Sequence, residues 1–169
     1  MNLLGDIAAH YPTPTRYPDR MTPSTREPWD APTLDEVLPP ILAACPSFQA
    51  VWAERASGDA RRGREADLDG YSVCGELSQH LVALVQLGET DEMGPTFEAI
   101  ERLLAGGDSA LTELLEVHFI DDLQTWGRYA GGWEFADSFL AWLGPRLREA
   151  WKSAFYTWKS DQGLPPAIG

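Results

Sequence analysis

Five side chains between residues 113 and 122 could do chemistry together: Glu113, Glu116, His118, Asp121 and Asp122. On an ideal helix, at about 100° per residue, His118 and Asp122 stand one turn apart on the side of Leu111, Leu115 and Phe119. Glu113 and Glu116 fall on the opposite side, with Gln124, pointing away from that apolar stripe. An imidazole and a carboxylate at this spacing can pass a proton between them or give two ligands to a metal ion. They can also simply hydrogen-bond and fix the packing of helices. A metal needs further ligands, and the chain has neither a second His/Glu pair nor the paired Glu-x-x-His repeats of a di-iron bundle. The expectation for His118 and Asp122 is therefore a partly buried structural pair, with no catalytic residue, no metal and no cofactor.

Other short motifs of catalysis are missing. There is no phosphate-binding loop, dinucleotide fingerprint, Gly-x-Ser-x-Gly elbow or His-Glu-x-x-His pair. The three histidines, His10, His80 and His118, lie far apart in the chain. Cys45 and Cys74 sit in apolar surroundings without a Cys-x-x-Cys spacing, so both read as buried free thiols rather than zinc or redox ligands.

Charge says more. The 169 residues include 26 acidic and 13 basic side chains, a formal net charge of −13. Such a surface repels phosphate, which argues against nucleic acid and anionic membrane as partners. Residues 71–140 hold 13 acidic and 2 basic residues, net −11. That concentration is either a solvated face or a docking surface for a basic protein. The candidate acidic contacts are Glu89, Asp91, Glu92, Glu98, Asp108, Glu113, Glu116 and Asp121. Trp126 and Trp133, which flank Gly131 and Gly132, are the candidate apolar anchors, since tryptophan is favoured at interface hot spots.

The elements that must position these residues are all helical. Residues 1–32 carry six prolines and few aliphatics after Ile7 and read as an irregular arm. Thr33 and Glu36 form a capping box before the run to Ala44, with a break or kink expected at Pro39-Pro40. Ser47 can cap a second helix, and residues 57–70 read as a helix end running into a solvated turn. A third helix runs from Tyr71 to Leu87 and stops at Gly88, a fourth opens with Pro95 at its first position, and Asp108 or Ser109 caps a fifth. The fifth, Ala110 to about Tyr129, is apolar nearly all round and belongs at the centre of a bundle. Gly131-Gly132 breaks it, and helices from Trp133 to Leu143 and from Pro145 to about Lys159 follow. No period-2 run with a hairpin turn appears. The expectation is an all-α chain: a single compact bundle of six or seven helices at 33–160, with the arm at 1–32 and a frayed tail at 161–169. The longest aliphatic run, Leu81 to Val85, is too short for a membrane span, and Met1 to Asp6 lack the basic start of a signal peptide, so a cytoplasmic location is expected.

Three stretches carry a resemblance over 71–158: GELSQHLVALVQLGE, FEAIERLLAGGDSALTELLEVHFIDDLQ and FLAWLGPRLREAW. In them Glu101 to Asp108, Phe119 to Leu123, and Leu143 to Pro145 with Trp151 resemble a family of small bacterial all-α proteins found beside polymorphic toxin genes. These are packing and turn signals, not catalytic ones. The resemblance implies an immunity-type protein that binds and neutralises a cognate toxin by direct contact. The alternatives are an adaptor or secretion chaperone for an effector, or an enzyme using His118 and Asp122.

Overall fold

Thr33 and Glu36 open the first helix as the capping box requires: the Glu36 carboxylate accepts from the Thr33 backbone amide at 2.7 Å. The computed structural model describes residues 32–64 and 68–161, with the side chains of the last helix as far as Ala154. The proline-rich arm thus lies outside the described residues except for Pro32, whose buried carbonyl accepts from the Gly70 amide at 3.0 Å. The tail lies outside them except for Asp161.

The helices are α1 (Leu34–Ala44), α2 (Phe48–Arg61), α3 (Gly70–Leu87), α4 (Met93–Gly106), α5 (Ser109–Glu113), α6 (Ile120–Asp137) and α7 (Pro145–Asp161). A π-helical segment, Leu114–Phe119, joins α5 to α6, and a 3₁₀ turn, Ser138–Ala141, follows α6. The described residues form an all-α compact bundle without a strand. Among them no helix is long and apolar enough to cross a membrane.

Three boundaries differ from the sequence reading. The α1 helix runs through Pro39 and Pro40. The two amides that proline removes would have bonded the carbonyls of Asp35 and Glu36, both solvent-exposed residues, while Val37 and Ile41 anchor the inner face. The fourth helix begins at Met93, so Pro95 is its third residue, still inside the first turn where no amide has a helical partner. Ser47 occupies the N-cap of α2 but makes no cap bond, because its hydroxyl is used elsewhere.

The turn after α2 is built on a buried charge. Asp59 is only 2% exposed and meets Arg55 at 2.7 Å, Arg64 at 2.7 Å and Arg62 at 3.7 Å. Asp59 thus offsets part of the positive charge of this arginine-rich stretch.

α3 packs against the π segment and α6, and α1 against α3 and α4. The core includes Leu111, Leu115 and Phe119, the stripe of the sequence reading, together with Leu123 and Trp151. Gly88 ends α3 at φ 77°, a left-handed conformation that glycine adopts without cost. Inside α6, Gly131 and Gly132 leave helical geometry and fold the chain back on itself. A Cβ on Gly127 would lie 3.0 Å from the Ala136 Cα, so the reversal depends on a side-chain-free contact.

Arg146, at the start of α7, ties three elements together. Its guanidinium donates to the Leu104 carbonyl at the end of α4, and twice to one Glu116 carboxylate oxygen in the π segment, at 2.7 and 3.0 Å. Glu101 on α4 accepts from the Leu147 amide at 2.9 Å and so caps α7 from a distant helix.

Candidate functional site

The expected polar pair does not form. His118 is exposed, and its ring meets the Tyr71 ring edge-on at 4.8 Å. Asp122 is half-buried, and no hydrogen bond joins the two. The stretch runs through the π segment, whose turn is wider than that of an α-helix. Leu114, Leu115, Phe119 and Ile120 turn inward, whereas Val117 and His118 turn out.

Burial, reinforced by the neighbouring Asp121, raises the Asp122 carboxyl above its ordinary range, and His118 only partly opposes this. A carboxyl that is raised in the folded state favours folding when protonated. Its contribution is fully present below the unfolded value and is lost as pH rises through the folded one. Asp122→Asn should therefore raise the melting temperature at pH 7, and the gain should vanish in scans below the usual carboxylate range. A melting temperature lowered at pH 7 but unchanged at low pH would mean that the charged form is the stabilised one.

The acidic candidates divide sharply. Glu98 is exposed and faces Arg102 at 3.5 Å. Asp108 caps α5, accepting from the Leu111 amide at 2.9 Å. Glu116 is engaged by Arg146, so it is not free to meet a partner, and reversing its charge would oppose that guanidinium. Glu113 is half-buried near Tyr71, and Asp121 is exposed. Trp126 and Trp133 are half-buried and packed on the core, with the Arg128 guanidinium 4.6 Å above the Trp133 ring. Neither tryptophan stands out as an apolar anchor.

Glu92 points inward rather than outward. Its carboxylate accepts from the Ser47 hydroxyl at 2.6 Å, the Ser47 amide at 3.2 Å and the Cys45 thiol at 3.1 Å. His80, from the middle of α3, places Nε2 2.8 Å from the Ser47 oxygen. Three helices and the α1–α2 turn thus converge on one point, although the four residues are scattered along the chain. The sequence reading missed this cluster. The useful signal was Ser47 directly after a helix end, two residues from Cys45, but nothing local linked it to His80 or Glu92.

Electrostatics in the cluster follow from burial and hydrogen bonding. Burial pushes the Cys45 thiol up, as does its bond to Glu92. Burial also pushes Glu92 up, but the bonds from Ser47 and Cys45, with His80 nearby, outweigh it and hold the carboxyl below its ordinary range. Burial lowers His80 despite Glu92, which keeps the imidazole neutral at pH 7. Because the Ser47 proton is directed at the ionised Glu92, the Nε2 nitrogen donates to Ser47. A nucleophilic serine would instead give its proton to the imidazole. Cys74, the other free thiol, is shut inside α3, where burial raises it far above its ordinary value.

Next to the cluster lies an open cleft of about 390 Å³ lined by Ser47, Leu84, Gly88, Glu89, Thr90, Asp91 and Glu92. Glu89 and Asp91 are exposed at the α3–α4 corner, and among the described residues no ion pair covers either. Leu87 precedes them and is 71% exposed.

Comparison with curated proteins and with solved structures gives no match. One family model spans residues 38–157, from the middle of α1 into α7 and across the whole cluster. The chain belongs to that family, described as Domain of unknown function (DUF7674).

Proposed function

We propose that this protein is a non-enzymatic, immunity-type inhibitor that neutralises a cognate bacterial toxin in the cytoplasm by docking on its basic surface. The observation that carries the reading is the α3–α4 corner, where exposed Leu87 precedes the exposed carboxylates of Glu89 and Asp91, which have no ion pair among the described residues, on the rim of a cleft. An apolar anchor ringed by charge of one sign suits a partner of opposite charge, with the carboxylates steering and the leucine holding. If the toxin is a nuclease, these carboxylates stand where substrate phosphates would. The sequence resemblance to immunity-type proteins points the same way.

The test is to express the product of the adjacent gene with and without this chain. Killing that is relieved by wild type, and not by Leu87→Asp, supports the reading. Stable binding without relief would indicate an adaptor or secretion chaperone. Absence of binding would overturn it.

A further inference from the structure

We infer that Cys45, His80 and Glu92 form a binding site for a zinc-type transition-metal ion. The three side chains come from the end of α1, the middle of α3 and the start of α4. One ligand atom from each lies within 4.8 Å of the others. A thiol, an imidazole and a carboxylate are the donor set of zinc rather than of magnesium or calcium, which take oxygen ligands.

The Ser47 hydroxyl marks the centre. It lies 2.6 Å from Glu92, 2.8 Å from the His80 ring and 3.8 Å from the Cys45 sulfur. Zinc holds nitrogen and oxygen at about 2.0–2.2 Å and sulfur at about 2.3 Å. An ion near this point reaches all three donors after a modest contraction. Ser47 or a water then fills the fourth position. Coordination replaces the Cys45 S–H by an S–metal bond and releases its proton to solvent; the neutral His80 ring exchanges its Nε2 proton for one on Nδ1, which frees the Nε2 lone pair for the ion. The Ser47 proton leaves Glu92, whose carboxylate turns to the metal.

The surroundings favour this exchange. The Ser47 amide, 3.2 Å from the Glu92 carboxylate, orients that ligand, as outer hydrogen bonds do in metal sites. The Phe48 ring, 5.6 Å from that of His80, fixes the imidazole beside the core. Access is through the cleft, since Ser47 is exposed, and Glu89 and Asp91 give its mouth a negative charge that attracts cations. A bound ion would lock the α1–α2 turn to α3 and α4.

The experiment uses the full chain, reduced and stripped with a chelator, titrated first with Co²⁺ and then with Zn²⁺. The expected result is one Co²⁺ per chain with a thiolate-to-cobalt absorption band, displaced by Zn²⁺. His80→Ala and Glu92→Gln should each weaken binding at least about 100-fold, more than the loss of an outer-shell partner costs. Cys45→Ala should abolish the band, and Cys74→Ala should retain it. Circular dichroism checks that each variant is folded. If Cys45→Ala does not fold, the His80 and Glu92 variants decide. Absence of a thiolate band in wild type would overturn the inference, as would a band that survives Cys45→Ala or full affinity in His80→Ala.

Discussion

Replacing Phe119 by alanine should cost about 3–5 kcal/mol of folding stability, the range for a fully buried phenylalanine. Phe119 has no exposed surface and closes the π segment. Its ring lies 6.2 Å from that of Phe97, which lies 6.5 Å from that of Phe139. These aromatic contacts join α4, the π segment and the 3₁₀ turn, so the cavity has little room to collapse. Domains of this size are stable by only about 5–15 kcal/mol, so the variant gives up a large part of its margin. Urea denaturation should show a lower midpoint with an unchanged slope. The control is Val117→Ala in the same segment, where the side chain is 53% exposed and the effect should stay within about 0.5 kcal/mol. A loss below about 1 kcal/mol for Phe119→Ala would mean that the π segment is peripheral to the bundle.

The contrast between Phe119 and His118 shows what the sequence carries and where it stops. Apolar residues announce burial by type, so Leu111, Leu115, Phe119, Leu123 and Trp151 are legible as core, and the all-α bundle with them. The capping box at Thr33, the stop at Gly88, the Asp108 cap and the break at Gly131-Gly132 are also legible, because each rests on local backbone chemistry. The π segment is not. No single residue type signals it. Across it Leu111, Leu115, Phe119 and Leu123 keep the inward face that their spacing assigns, whereas His118 is exposed. The same limit hides the cluster at Ser47. Cys45, His80 and Glu92 meet only after α1, α3 and α4 pack, and no short-range spacing encodes a contact across 47 residues. Among the acidic candidates, type and net charge identified the negative stretch. Only tertiary pairing separates Glu116, held by Arg146, from Glu89 and Asp91 at the open corner.

Reversing both corner charges, Glu89→Lys with Asp91→Lys, should slow association with the basic partner by about tenfold or more while leaving dissociation nearly unchanged. Long-range steering by charge acts on encounter, and it is worth about 10–10³ in rate. The substitutions replace two negative charges by two positive ones at the mouth of the cleft. Both residues are exposed, and changes at such sites move stability by no more than about 0.5 kcal/mol. A loss of association is then not a loss of fold. Leu87→Ala should act differently. Truncating an apolar anchor removes contacts made only after docking, so it should speed dissociation and cost more than about 1 kcal/mol of affinity. Salt provides an independent axis. Screening shortens the reach of the field from about 30 Å at 0.01 M to about 8 Å at physiological ionic strength. The wild-type association rate should fall steeply over that interval, and the reversed variant's should not. Stopped-flow mixing of this chain with the product of the adjacent gene measures both rates. A wild-type association rate indifferent to salt, together with unchanged affinity in the double variant, would remove the α3–α4 corner from the interface.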